Sequence, residues 1–248
     1  MSRRACHPVR ISLSTLDLEP LPRAFHERPV VELAAALLGQ LVVREFADGR
    51  RVVARVVETE AYGGRAVDPS AHSFKGPTPR CEVMFGPAGH AYVYATQGRC
   101  CCLNVTAEGG CDGRAVLLRA AEVLEGADIA RAGRLERLRD GPTRRRIEGG
   151  RHDHELAAGP GRLCLCLAAD RALNAVDLTE RGALWLARAE AVPADLVRWT
   201  PRVGLNPASA SFRWRWRALD GSSRAVSVGR AAGRGLRTPR PEACPRPA

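Results

Sequence analysis

The stretch Val56-Val57-Glu58-Thr59-Glu60-Ala61-Tyr62 closes a run from Arg51 to Tyr62 whose alternating character reads as a β-strand. Strand side chains alternate between faces, so Glu58 and Glu60 point one way while Val57, Thr59 and Ala61 point the other. Two carboxylates followed by an aromatic ring, at the end of an apolar strand, are poor material for a core. They suit a site that needs a base beside a flat surface. The same pattern also fits two solvated glutamates on an edge strand, and the segment alone leaves both readings open.

Working back from this strand, Leu41–Phe46 is a second apolar run, and Asp48-Gly49 between the two is a strong hairpin signal. Val30, Val31, Leu33, Ala34, Leu37 and Leu38 follow helical spacing, and Gly39 is placed to end that helix. Residues 1–22 carry Pro20 and Pro22 and are expected to lie loosely on the surface. Working forward, 63–79 is a Gly-, Pro- and Ser-rich loop that contains His72, and long loops in compact domains often carry function.

Ala91–Ala95, Cys101–Thr106, Ala115–Arg119 and Ala183–Ala187 read as strands, and Leu163–Ala169 as a short buried helix preceded by Gly159-Pro160-Gly161. Ala120–Ala132 is helical by composition, and the charged stretch 133–155 is expected to be a surface excursion. Phe212-Arg213-Trp214-Arg215-Trp216-Arg217 alternates aromatic and basic residues, so it predicts a strand with aromatics inward and arginines outward. From about Ala231 the chain turns Arg-, Pro- and Gly-rich and is expected to be disordered. The layout predicts an N-terminal extension (1–22), one domain (23–230) and a basic tail (231–248). Strands mostly in hairpins, with helices on one side, predict a single α+β domain.

With 248 residues and 45% hydrophobic content, the chain can bury one substantial core. No apolar run approaches membrane-spanning length, and Met-Ser-Arg-Arg-Ala-Cys-His-Pro lacks the apolar core of a signal peptide. A cytoplasmic protein with no membrane partner is expected. The formal charge of +11, from 38 basic and 27 acidic residues, favours polyanionic partners and nucleic acid first. A single lysine, Lys75, against so many arginines fits a GC-rich coding bias equally well. The nine cysteines form no Cys-x-x-Cys pair, and Cys100-Cys101-Cys102 is too crowded for a zinc cage. His152-Asp153-His154 has no evident partner set, and no metal is expected.

Taken in order, Leu38-Gly39-Gln40, Val57-Glu58-Thr59-Glu60-Ala61-Tyr62, Ala71-His72-Ser73, Thr78-Pro79-Arg80 and Met84-Phe85 form a recognisable series. It continues with Tyr92-Val93-Tyr94, Leu103-Asn104-Val105, Leu117-Leu118-Arg119-Ala120, Gly159-Pro160, Arg162-Leu163-Cys164 and Arg202-Val203-Gly204. Each motif is weak alone; in this order and spacing, from about Leu37 to Val228, they are highly specific. The chain resembles the alkyladenine (3-methyladenine) DNA glycosylase family, single-domain base-excision enzymes.

The resemblance implies a curved antiparallel sheet, a β-hairpin pushed into the DNA minor groove, and a flipped-out alkylated purine released by water. It implies double-stranded DNA containing damaged purines as partner, a monomer associated with the nucleoid, and no metal or organic cofactor. Glu60 is implied as the catalytic base with Arg119 helping to hold the water, and Glu58 as a supporting residue. Tyr62 is implied to stack on one face of the base, with His72 and Tyr94 on the other. His72 is also implied to offer its backbone amide against normal adenine, Asn104 to crowd the amine of guanine, and Arg80 to contact phosphate.

Two departures stand out. The family carries a wedging tyrosine three residues after the second Tyr of Tyr92-Val93-Tyr94, where this chain has Gln97, so flipping from well-paired duplexes is expected to lag. The segment after Arg202-Val203-Gly204 also lacks the expected proline. Two other readings compete: a non-catalytic duplex-binding protein on the same scaffold, and an O-glycoside hydrolase using Glu58 and Glu60 as its carboxylate pair.

Overall fold

The hairpin signalled by Asp48-Gly49 is the nucleus of the sheet. In the computed structural model, which describes residues 18–96, 100–205 and 214–219, β1 (Leu41–Glu45) pairs antiparallel with β2 (Arg51–Tyr62). β2 is a central strand and not an edge. Along one side it pairs with β5 (Arg114–Glu125) from Val53 to Tyr62. Its other side is shared: β1 takes the first half, and β8 (Arg215–Ala218) takes Glu58 to Glu60.

The sheet order is β3-β4-β5-β2-β1-β6, with β3 (Ala91–Thr96), β4 (Cys100–Ala107) and β6 (Leu184–Ala187). A further strand, β7 (Val197–Thr200), pairs only with β8. Eight antiparallel strands and five helices among the described residues make one mixed domain, as the α+β expectation has it.

Both faces of β2 are covered. On one, Val57 and Ala61 join the main core, and the Thr59 hydroxyl donates to the Ala34 carbonyl (2.8 Å) of α2 (Val30–Ala36). That helix ends at Ala36, a turn short of the expected stop; Gly39 closes the turn, with φ +87° and a position where a Cβ would lie 2.4 Å from the Glu190 carbonyl oxygen. The other face holds the two glutamates, both fully buried, which removes the solvated-edge reading.

Three expectations need correction. β5 runs on to Glu125, so Ala120–Glu125 is strand and helix α3 covers only Ala127–Leu135. Ala-Ala-Glu-Val-Leu-Glu is good helical material, but the ladder to Val53–Glu58 overrides it. The switch comes at Gly126, whose φ of +74° and close approach to the Arg51 carbonyl exclude a side chain. The stretch 133–155 is the surface excursion expected, though it carries helix α4 (Pro142–Glu148) and buries Arg134 and Ile147. Residues 18–22 are not loose: Leu21 is fully buried and donates its amide to Leu186 of β6. Helix α5 (Pro160–Cys166) begins three residues earlier than expected, because Pro160 is pre-organised for a first helical turn. Residues 1–17 and the tail from Ala231 lie outside the described residues, as do Phe212 and Arg213.

Helix α1 (Arg23–His26) places the His26 ring in the interior, fully buried, beside Phe25 and Gly89. Burial, aided by Arg23 and Arg28, pushes its pKa down from 6.5 to about 4, against the pull of a Leu21 backbone contact and Asp177. The unfolded chain therefore binds a proton that the folded chain refuses between those values. Stability is full above about pH 6.5 and falls as pH drops toward 4, by roughly 3 kcal/mol. Urea unfolding of His26→Leu should lose most of that pH dependence; an unchanged slope between pH 4 and 6.5 would show that other groups carry it.

Candidate active site

Glu60 is the centre of the buried face of β2. Its Oε1 accepts the Val203 amide (2.8 Å), and its Oε2 accepts Arg119 Nη1 (3.1 Å) and the Tyr62 hydroxyl (3.1 Å). Burial pushes the Glu60 carboxyl above the usual carboxylate range. Arg119 and the Val203 amide pull the other way, Glu58 adds to the rise, and Arg215 opposes it.

Arg119 reaches this carboxylate because β5 is irregular here. The ladder runs Val56↔Ala121, Glu58↔Ala120, Thr59↔Leu118, with register shifts on both sides of Glu58, and Arg119 is left out of the pairing. Such irregularities re-aim side chains, and they recur beside active sites. The guanidinium bridges both glutamates: Nε donates to Glu58 Oε1 (3.1 Å) while Nη1 serves Glu60. Burial alone works against the Arg119 charge, but Glu60 and Glu58 outweigh it and hold its pKa above the ordinary value. That one side chain meets both glutamates bears out their expected common face.

Arg215 corrects the outward reading of its strand. The aromatics Trp214 and Trp216 are buried as expected, but so is Arg215, whose Nε lies 2.7 Å from Glu58 Oε1. The buried face thus holds two carboxylates and two guanidiniums.

Tyr62 is half-buried. Arg202 lies over its ring at 4.7 Å, and burial, then the Glu60 charge, push its phenol well above the ordinary range. The exposed His72 ring packs edge-on against Tyr94 (4.6 Å between centroids). Its Nδ1 lies 2.8 Å from the Tyr92 hydroxyl. Burial and Arg80 lower the His72 pKa, so its ring is neutral at pH 7. Arg80 is exposed, with its guanidinium 5.1 Å from the centre of the Tyr94 ring. Asn104 is buried and spends its Nδ2 on the Tyr92 carbonyl (2.9 Å).

A cavity of about 420 Å³ runs along β3, lined by Pro79, Arg80, Val93, Tyr94, Ala95, Arg171 and Asn174. It borders Tyr94 and Arg80 but is lined by neither Glu60 nor Tyr62. Gln97 lies outside the described residues.

The candidate residues therefore form two groups: Glu60, Arg119 and Tyr62, and then His72, Tyr94, Arg80 and Asn104. Sequence reasoning missed the Tyr92 hydroxyl, the Val203 amide, Arg202 and Arg215. The first and third had a legible motif but no legible role, and a backbone amide leaves no mark in sequence at all.

Among the described residues, His152, His154 and Glu155 place a ligand atom each within 4.8 Å of one another. Glu155 is, however, already paired with Arg146. The thiols of Cys164 and Cys166 are pushed up by burial and stay protonated, which makes them poor nucleophiles. No helix among the described residues is long and apolar enough to cross a membrane.

Residues 24–222 match the family model described as methylpurine-DNA glycosylase. A Streptomyces avermitilis protein named "Putative 3-methyladenine DNA glycosylase" is 44% identical over 204 residues, covering 81% of this chain and 88% of its own length. A Methanocella arvoryzae protein of the same name is 40% identical, over 84% of this chain and 95% of its own. The human protein named "DNA-3-methyladenine glycosylase" is 41% identical over 79% of this chain and 62% of its own.

Proposed function

The chain belongs to the methylpurine-DNA glycosylase family, and from that premise we propose that Glu60 activates water to release an alkylated purine flipped out of duplex DNA. The chain is a 3-methyladenine DNA glycosylase, a hydrolase of N-glycosyl bonds. The observation that carries the finer reading is the Glu60 carboxylate itself, dry, tethered through both oxygens, and set beside Tyr62.

A base inside a duplex is out of reach of hydrolysis and has to be extruded and held. Tyr62 on one side, with Tyr94 and His72 on the other, supplies flat faces, worth about 1–3 kcal/mol per stacked base. A cationic purine such as 3-methyladenine gains about a further 0.5–2 kcal/mol over electron-rich rings. A neutral His72 adds no charge repulsion to that cation.

In the chemical step, water forms the new C1′–O bond as the C1′–N bond breaks. The bonding electron pair leaves with the purine and cancels its positive charge. Glu60 accepts the water proton, and its negative charge faces the oxocarbenium-like sugar. Its raised pKa suits a base that must take up a proton, and a base placed in this way is worth about 10²–10⁴-fold. Arg119 keeps the carboxylate ionised and aimed. Asn104 and the His72 amide are the elements that discriminate against undamaged purines, and Arg80 contacts the backbone without reading sequence.

Duplexes carrying 3-methyladenine, 7-methylguanine, ethenoadenine or hypoxanthine, incubated with protein and then cleaved with alkali, test this directly. Strand breaks at the alkylated purine are expected. Tight binding without breaks at any lesion would instead support a duplex-binding protein.

The product should be an intact abasic strand. Lyase chemistry needs an amine to form a Schiff base, and the chain's one lysine, Lys75, is exposed in a loop. Borohydride should therefore trap almost no protein on lesion DNA; efficient trapping that disappears in Lys75→Ala would contradict it.

A further inference from the structure

We propose that Arg215 is a positioning residue of the excision reaction: by pairing with Glu58, it adds the second positive charge that lets Arg119, shared between the two glutamates, hold Glu60 ionised and aimed. This rests on the reading of Glu60 as the base.

The register of β8 on β2 sets up the arrangement. Arg215 stands opposite Glu60 and Arg217 opposite Glu58, so their side chains share the face of the two glutamates. The Arg215 side chain then runs diagonally to Glu58, 2.7 Å from Oε1, the same oxygen that accepts Arg119 Nε. All four side chains are withdrawn from solvent: Glu58 and Glu60 fully, Arg215 and Arg119 nearly so.

Two buried carboxylates sharing one guanidinium would be short of one positive charge. In a low-dielectric interior such a pair sheds the excess by taking up a proton. Glu60, already above the ordinary carboxylate range with Glu58 among the causes, is the group that would take it. Arg215 closes the balance at two against two: burial lowers its pKa from the ordinary arginine value, and Glu58 is the chief group opposing that fall.

The other groups around the pair do not replace it. From β5 come Arg119, already divided between the two glutamates, and Glu122, which stands opposite Arg55. From β8, Arg217 is half-buried and stands opposite Glu58. From β2, Tyr62 offers a neutral hydroxyl, and the buried Arg55 stands opposite Glu122 of β5. The segment after β7 supplies the Val203 amide, and the neighbouring Arg202 is engaged with Asp68. The face of α2 that packs against β2 meets Thr59 and not the glutamates.

The test is the pH dependence of single-turnover excision on a duplex with one 3-methyladenine. The wild-type rate should rise along an acidic limb set by Glu60. In Arg215→Gln that limb should move up by about one pH unit or more, close to a tenfold loss on the acidic side, with the rate recovering at high pH. Arg215→Lys, which keeps the charge, should stay near wild type. In the double variant Glu58→Gln/Arg215→Gln, charge is balanced again, and the limb should return to the wild-type position or below it.

A loss by the same factor at every pH would reduce Arg215 to a packing role and overturn the proposal. So would a double variant whose limb stays displaced upward, which also decides the matter if Arg215→Gln alone does not fold. The two readings fail separately. Excision by Glu60→Gln at the wild-type rate removes the base assignment itself. An inactive Glu60→Gln beside an unshifted Arg215→Gln removes only the positioning role.

Discussion

Glu60→Gln should lower single-turnover excision of 3-methyladenine by about two orders of magnitude or more while leaving duplex affinity within a few-fold of wild type. Glutamine has the volume of glutamate, so the fully buried site keeps its packing. The hydrogen bonding, however, is asymmetric. The carboxylate accepts Val203 N on one oxygen and both Arg119 Nη1 and the Tyr62 hydroxyl on the other. An amide offers one acceptor, so either the Val203 amide or the Arg119 guanidinium will face an NH₂ group. The cost is local, because Arg119 retains Glu58 and the duplex is held by other residues. What is lost is the proton acceptor. The two measurements are burst-free excision at saturating enzyme and fluorescence anisotropy of a lesion duplex. Excision within a few-fold of wild type would falsify the base assignment.

The fold was legible in sequence where local chemistry and long-range pairing agree. The helix starting at Val30, the turn at Gly39 that follows it and the Asp48-Gly49 hairpin need only neighbours within a few residues, and all three are present, although the helix itself closes at Ala36. Where the two disagree, pairing wins: Ala120–Glu125 is made of helix formers but lies opposite Val53–Glu58, and its backbone goes to the ladder.

The site divides in the same manner. Glu60, Tyr62 and Arg119 were legible through their motifs, and the structure draws them into direct contact. The alternation in Trp214–Arg217, the part of Phe212–Arg217 that is described, correctly marks two faces, yet it cannot say what the second face meets. An arginine face normally meets water. Here it meets a buried glutamate, because β8 docks on the very residues of β2 that carry the acids. The Val203 amide was beyond any sequence pattern, since every residue but proline carries one.

The loop after β2 is fastened by one ion pair, and cutting it should have the largest effect on stability. Asp68 Oδ1 accepts the Ser70 amide (3.0 Å) and Arg202 Nη2 (2.9 Å). Its Oδ2 accepts the Gly63 amide (3.0 Å) and Arg202 Nη1 (2.5 Å). Both side chains are wholly removed from solvent. Arg202 also donates to the Ala61 carbonyl (3.0 Å) and covers the rings of Tyr62 (4.7 Å) and Trp214 (5.5 Å). Asp68→Ala therefore strands a buried guanidinium, which costs about 3–5 kcal/mol. Against a typical total of about 5–15 kcal/mol, that brings the domain close to unfolding at 37 °C.

Replacing both partners by apolar residues, Asp68→Leu with Arg202→Met, removes the uncompensated charge and should recover part of the loss. The Gly63 and Ser70 amides would still lack their acceptor, so recovery stays incomplete. Excision should fall in both variants even at temperatures where they remain folded, because Val203, which holds Glu60, follows Arg202 directly in the chain. Urea unfolding of wild type, Asp68→Ala and the double variant gives the three stabilities. A loss below about 1 kcal/mol in Asp68→Ala would mean that solvent reaches Arg202 in solution, and that the loop from Gly63 is held by some other contact.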